Sequence, residues 1–178
     1  MSDLKRLAEV IRQRSILRGN FTLASGRQSS WYLDCRKTTL DPEGATLVGR
    51  CILERVDREG IRPASVGGLT LGADPIAASV AIASWQAGRP IPAFIVRKSA
   101  KDHGTTRRIE GWLPEGQPAL IVEDVVTSGG SSLEAIAAVE QAGATIAGVI
   151  AIVDREEGGA EALKKYPFYP LFKAKDLL

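Results

Sequence analysis

Two adjacent carboxylates, Glu123 and Asp124, stand between an apolar run and a cluster of small polar residues in ALIVEDVVTSGGSS, residues 119–132. The two parts of this stretch suit different chemistry. The loop of Thr127, Ser128, Gly129, Gly130 and Ser131 is small enough for several backbone N–H groups to converge on one centre. The spacing of Leu133, Ile136, Ala137, Val139 and Glu140 predicts a helix behind it, whose N-terminus adds partial positive charge. Such a loop is a cradle for phosphate. The acids would repel a bare phosphate, so their partner is either sugar hydroxyls or a phosphate-bound Mg²⁺. A phosphorylated sugar supplies both.

A second group is cationic. In RKSAKDHGTTRRIEG, residues 97–111, Arg97, Lys98, Lys101, Arg107 and Arg108 face only Asp102 and Glu110, with no apolar periodicity. Such a stretch cannot bury itself without an anionic ligand, and it has no evident anionic partner nearby in sequence. It also holds His103, the only histidine. A third candidate is Arg155, which ends the apolar run ATIAGVIAIVDR and so is expected at the carboxyl edge of a sheet. A guanidinium there can fork onto a carboxylate; the alternative is an arginine paired with Glu156 or Glu157. In PASVGGLTLGADP, Gly67, Gly68 and Gly72 form a glycine-rich bend with main chain bare enough for an anion to approach.

Residues 119–122 read as a buried parallel strand with the acids at its carboxyl end. Leu4, Leu7, Val10 and Ile11 predict an amphipathic helix over residues 3–17, ending near Gly19. A β-hairpin follows, with Phe21 and Leu23 on one arm, a Ser25-Gly26 turn, and Trp31 to Leu33 on the other. Asp41-Pro42 is a helix start, with an acid N-cap and proline at the first helical position, and Gly60 is its stop. Asp74-Pro75 reads as another start, of a small-residue helix running to Gly88. Strands are expected over 93–96 and at 144–155, then a short helix over 159–165 and a last strand near 168–172. Strand and helix alternate, so the fold class is α/β: a parallel sheet with helices on both faces.

Composition narrows the function. With 178 residues, 44% hydrophobic and 25% charged, the chain reads as one ordinary globular domain. A formal net charge of +2 argues against a nucleic-acid binder. Cys35 and Cys51 are too few for a disulfide framework or a zinc site and are expected as reduced thiols. No leader-like segment or membrane-spanning apolar run is read, so a cytoplasmic protein is expected. No G-x-x-x-x-G-K-[ST] string points to a nucleotide triphosphatase.

ALIVEDVVTSGGSS resembles the 5-phosphoribosyl 1-pyrophosphate (PRPP) motif of the type I phosphoribosyltransferases. Phe21, Leu23, Ser25, Gly26, Ser29, Tyr32 and Asp34 match the amino-terminal signature of the orotate members. Arg97, Lys98, Lys101 and His103 match their Arg-Lys-x-x-Lys-x-His loop. The likeness covers nearly the whole chain, in the family's order. It implies a type I core at about 41–158 under a small hood from about 1–40 and 159–178, in one domain over 1–178. It implies transfer of the 5-phosphoribosyl group from PRPP to orotate, giving orotidine 5′-monophosphate and pyrophosphate.

By the same resemblance, Val125, Val126, Thr127, Ser128, Gly129, Gly130 and Ser131 hold the ribose 5-phosphate, and Glu123 and Asp124 meet the ribose hydroxyls. Arg97, Lys98, Lys101 and His103 close on the pyrophosphate, often from the neighbouring subunit of a homodimer. Thr127 and Arg155 meet orotate. The catalytic set is Asp124, Glu123, Lys101 and His103, and Mg²⁺ is expected on PRPP itself with no dedicated protein ligands. The chain departs from many members at Ala24, where they carry lysine before Ser-Gly. It departs from some at Thr70-Leu71, where a lysine stands in the pyrophosphate loop and a backbone or hydroxyl contact must serve here. The rivals are a purine-type phosphoribosyltransferase and a non-catalytic PRPP-sensing regulator. The first continues the cationic loop with Leu-Pro where this chain has Asp102-His103, and the second needs a DNA-binding domain or a broad basic face.

Overall fold

The structure, a computed structural model, describes residues 1–22, 28–99 and 108–178. Ser2 caps helix α1, Asp3–Arg14, which buries Leu7, Val10 and Ile11. The helix is shorter than the spacing predicts, because its Ile16 and Leu17 continuation pairs with another strand. Ser15 N closes the last turn on Ile11 O, and its hydroxyl bonds the Thr38 hydroxyl at 2.7 Å in the interior. Ile16 and Leu17 then open β1, Ile16–Thr22, which runs antiparallel to β2, Gln28–Leu33. The expected hairpin is therefore present, with the Phe21 and Tyr32 rings 5.7 Å apart. Leu23, Ala24, Ser25 and Gly26 lie outside the described residues.

A short helix α2, Arg36–Thr39, leads to α3, Pro42–Arg58, whose start matches the sequence signal. Asp41 Oδ1 accepts from Gly44 N at 2.9 Å, Pro42 sits at the first position, and Arg14 pairs with the same carboxylate. β3, Ser65–Leu69, precedes α4, Ala73–Gln86; β4, Ala93–Val96, precedes the short β5, Ile109–Gly111. β6, Pro118–Val126, feeds α5, Gly130–Gln141, and β7, Thr145–Asp154, leads to α6, Gly159–Ala162. The chain closes with β8, Phe172–Lys173, and α7, Ala174–Leu177.

The hairpin is a separate two-stranded sheet; the other strands form one sheet in the order β5-β4-β3-β6-β7-β8. Every pairing in it is parallel except β4 with β5. That antiparallel edge falls in the stretch whose charge pattern hid it, since three residues are too few to show a period. Leu120, Val122, Ile150 and Ile152 pack with α1, α3 and α4, while Ala119, Ile121, Val149 and Ala151 pack with α5. The sheet is thus covered by helices on both faces, and the alternation along β6 and β7 assigns each side chain its face.

The strand order fixes where a ligand can sit. From β3 the chain crosses through α4 to β4 on one side, whereas from β6 it crosses through α5 to β7 on the other. The carboxyl ends of β3 and β6 are therefore adjacent at a topological switch point, where the outgoing loops diverge and leave a crevice. Both loops with small-residue signatures open into it. Gly67 and Gly68, however, are not part of the bend: they lie inside fully buried β3. A Cβ on Gly67 would stand 2.3 Å from Phe94 O and one on Gly68 2.2 Å from Val122 O, so these glycines serve close packing and face no anion.

The Asp41 cap yields a stability prediction. Asp41→Ala leaves Gly44 N without its acceptor and Arg14 with the Glu43 carboxylate at 3.8 Å, and should cost about 1–2 kcal/mol in urea unfolding with the slope unchanged. A midpoint equal to wild type would show that the cap contributes nothing.

Candidate active site

Glu123 and Asp124 sit two residues before the end of β6, nearer the interior than a strand terminus. Glu123 is buried and Asp124 half-buried. Ser132 of α5 offers its hydroxyl to Glu123 Oε2 at 3.5 Å, and Asp124 Oδ1 accepts from Val125 N at 2.8 Å. Burial, and then the neighbouring Asp124 charge, pushes the Glu123 carboxyl up to about 8. Near neutral pH Glu123 therefore favours its protonated form. Asp124 also acts on Cys35, whose thiol is pushed well up by burial, by Asp124 and by Asp34.

Gly72 lies against both acids. A Cβ there would be 2.7 Å from Asp124 Oδ1 and 3.2 Å from Glu123 Oε1, so only glycine lets the loop after β3 close on the carboxylates. Of the glycines in that bend, Gly72 is the one that reaches the site. Beside it Thr70 Oγ1 donates to Asp74 Oδ2 at 2.7 Å, which engages the hydroxyl within its own loop, and Leu71 is exposed. α4 begins at Ala73, which puts Asp74 and Pro75 inside its first turn and not at its cap.

Beyond the acids, Glu123 and residues 125–132 line a cavity of about 60 Å³, several times the roughly 10–15 Å³ one water needs. Thr127, Ser128, Gly130 and Ser131 are exposed there, while Val126 and Gly129 are buried. Gly129 has φ of +84°, a left-handed turn suited to glycine, and directly precedes α5. The expected anion cradle at a helix N-terminus is present in shape and in dipole.

Arg155 follows β7, and its N donates to Val126 O at 2.9 Å, which holds it at the next strand end from the acids. Its guanidinium pairs with Glu157 at 2.9 Å and stacks on the Trp31 ring at 4.7 Å. The glutamate pairing expected of a surface arginine thus occurs, but on a side chain only 11% exposed. Buried Asp154 accepts from Glu156 N at 2.8 Å and locks the turn that carries it.

Arg97 and Lys98 follow β4, two strands from β6. Arg97 lies 3.6 Å from Glu110 across the β4–β5 pair. Arg108 donates to Arg97 O at 3.1 Å and pairs with Glu134 of α5. Two cations of the stretch thus have acidic partners: Glu110, an acid of the same stretch, for Arg97, and Glu134, on a helix distant in sequence, for Arg108. Lys101, Asp102, His103 and Arg107 lie outside the described residues. Among the described residues no group of three or more His, Cys, Asp or Glu could hold a metal ion. Sequence reading missed Trp31 and the Ser132 hydroxyl as site neighbours, and it named Gly72 without its contact with the acids; only the period-two pattern of WYLDC hinted that Trp31 has a fixed face.

A family model described as phosphoribosyl transferase domain matches residues 41–174. The orotate phosphoribosyltransferase of Aquifex aeolicus (strain VF5) is 44% identical over 183 residues, covering 100% of this chain and 99% of its own. Among solved structures, the Mycobacterium tuberculosis H37Rv orotate phosphoribosyltransferase in complex with Fe(III) dicitrate matches with TM-score 0.88 at 43% identity, over 99% of both chains. The same enzyme in complex with PRPP matches with TM-score 0.84 at 39% identity, again over 99% of both chains.

The raised Glu123 carboxyl has a pH signature. The folded chain holds a proton that the unfolded chain releases at the usual 4.5, so this contribution to stability is full below that pH and is lost as pH rises through about 8. Glu123→Gln removes the titration without removing the volume. Melting temperature between about pH 5 and about pH 9 should fall more steeply for wild type than for Glu123→Gln. Parallel curves would mean that Glu123 ionises at ordinary pH.

Proposed function

The chain belongs to the orotate phosphoribosyltransferases of the phosphoribosyl transferase family, and we propose how its residues divide the work of that reaction. It transfers the 5-phosphoribosyl group from PRPP to orotate, giving orotidine 5′-monophosphate and pyrophosphate in pyrimidine biosynthesis. The observation that carries the assignment of roles is the acid pair of β6 set directly before an anion cradle at the N-terminus of α5. Residues 125–131 hold the 5-phosphate through backbone N–H groups and hydroxyls, and Glu123 and Asp124 face the ribose hydroxyls. Arg155 and Thr127 take orotate, the arginine through its carboxylate.

As the bond from ribose C1 to pyrophosphate breaks, positive charge grows on the ribose ring and negative charge on the leaving group. Asp124, with Glu123 beside it, stabilises the first; Arg97, Lys98, Lys101 and His103 stabilise the second. Orotate N1 is acidic enough to need no strong protein base, so His103 binds or protonates the leaving group. Mg²⁺ when bound neutralises the pyrophosphate oxygens. The acid pair offers it hard oxygen donors, but without a third ligand nearby among the described residues, most of its coordination falls to PRPP and water.

The enzyme works as a homodimer in the cytoplasm on this reading, without nucleic acid or membrane. Among the described residues no helix is long and apolar enough to cross a membrane. A dimer is supported by α4, whose sequence ADPIAASVAIASWQ is apolar around its circumference and leaves Ile82 and Trp85 61% and 74% exposed. Residues 1 to about 40 with 159–178 form a hood over a core at about 41–158. Supporting this, β1 and β2 stand apart from the main sheet, and Arg12 of α1 donates to Leu177 O and Asp176 O, joining the two ends.

Purified protein given PRPP, Mg²⁺ and single bases should consume orotate and spare adenine, guanine and hypoxanthine. In that assay Asp124→Asn should cost about 2–4 kcal/mol in kcat with a smaller loss of PRPP affinity. A kcat within about threefold of wild type would remove Asp124 from the mechanism.

Shared sites predict complementation. Lys101→Ala and Arg155→Ala, assayed where each alone is nearly inactive, should recover about one quarter of wild-type activity when unfolded and refolded together in equal amounts. Random pairing makes about half the dimers mixed, and each restores one of two sites. Mixed dimers without activity would place loop and core of each site in one chain.

A further inference from the structure

Arg155 is held on two sides by residues from different parts of the fold. Trp31 belongs to the β1–β2 hairpin, in register with Arg18, outside the main sheet. Arg155 follows β7 within it. The guanidinium carbon lies 4.7 Å from the centre of the indole ring, and Nη2 lies 2.9 Å from Glu157. The remaining observation concerns Nε, which is buried with no hydrogen-bond partner.

These contacts do different things. A stacked aromatic face fixes the plane of a guanidinium and attracts its charge, yet satisfies none of its in-plane N–H groups. Glu157 satisfies one corner. A buried donor left unpaired on a cation costs free energy, so the resting arrangement is incomplete at the edge that carries Nε. A purely structural arginine at this burial would be expected to spend that edge on a backbone carbonyl, as Arg108 does on Arg97 O. Trp31 holds the plane while leaving the edge uncommitted.

We propose that Trp31 is a positioning residue for the base: its indole sets the plane in which Arg155 presents its N–H fork to the carboxylate of a planar substrate. The inference rests on the reading of Arg155 as the carboxylate-binding residue. It gives the hairpin a definite task in choosing the base, separate from any cover it provides. It also makes the aromatic character of position 31 matter beyond its volume.

Four variants of the full chain test this by steady-state kinetics in each substrate: Trp31→Leu, Trp31→Phe, Arg155→Ala, and Trp31→Leu combined with Arg155→Ala. Trp31→Leu should raise KM for orotate about five- to thirtyfold, the equivalent of about 1–2 kcal/mol, with KM for PRPP within about twofold. Trp31→Phe keeps a ring face and should stay within about threefold of wild type for orotate. The double variant should be no worse than Arg155→Ala, because the indole acts through that side chain. Equal effects on both substrates, no rescue by phenylalanine, or a penalty that adds to Arg155→Ala would overturn the proposal and leave Trp31 as packing. If Arg155→Ala leaves KM for orotate unchanged, the assignment of Arg155 itself falls, and the role of Trp31 with it. Should Trp31→Leu lose its cooperative melt, Trp31→Met replaces it with the same expected split.

Discussion

Two carboxylates side by side near the end of a buried strand are an unfavourable arrangement, and much of the site can be understood as the means of keeping it. Burial resists the charge on Glu123 and Asp124 resists it further, so the pair relaxes by holding a proton. Ser132 gives Glu123 its one hydroxyl donor, and Gly72 removes the side chain that would collide with both acids. Neither neighbour cancels the charge on Asp124 with a cation. A fixed lysine or arginine there would stabilise the resting protein and oppose growing positive charge on a ligand. On the proposed assignment, the acid pair is thus left for the substrate to complete.

The cations follow a complementary rule. Arg97 meets Glu110 and Arg108 meets Glu134, each a partly exposed pair at the periphery of the crevice, while Arg155 meets Glu157 in a more buried one. Exposed pairs such as the first two contribute little to stability, so on the proposed assignment giving one up to bind an anion costs little. Arg108 goes further: by bonding Arg97 O while pairing with α5, it ties the root of the cationic stretch to the helix whose N-terminus forms the cradle. On the proposed assignment, the charges for the leaving group are thus anchored to the element that receives the phosphate.

Sequence exposed those parts of the molecule whose physics is local. The Asp41-Pro42 start, the apolar run of β6, its abrupt acids and the small-residue loop each announce themselves over a few residues. The end of α1 was not legible, because the partner that takes Ile16 and Leu17 out of the helix is Leu33 and Tyr32, a choice made by hairpin pairing. β5 was hidden by its length. Gly67 and Gly68 misled for another reason: glycine marks any close approach of main chain, and here the neighbours are strands β4 and β6 and not a ligand. The contact between Trp31 and Arg155 spans most of the chain, and no local pattern encodes it.

On the proposed assignment, the chemistry on the sugar is largely separated from the recognition of the base, with Thr127 of the phosphate loop given to both. The acids, the cradle and Gly72 all lie on the β3 and β6 ends of the switch point, bound together by main-chain geometry in which single substitutions have little room. Arg155 and Trp31 lie one strand over, and one of the two comes from a hairpin that shares no hydrogen-bonded edge with the sheet. A hairpin can change side chains, length or tilt without disturbing the pairing of β3 with β6, whereas the acid motif cannot move without carrying the cradle with it. On the proposed assignment, a different base would therefore be accommodated by the hairpin and by the residue after β7, with the phosphoribosyl machinery left as it stands. That division lets one set of charges serve substrates of different shape, and it accounts for the motif of residues 119–132 being the most informative stretch of the chain while saying nothing by itself about the base.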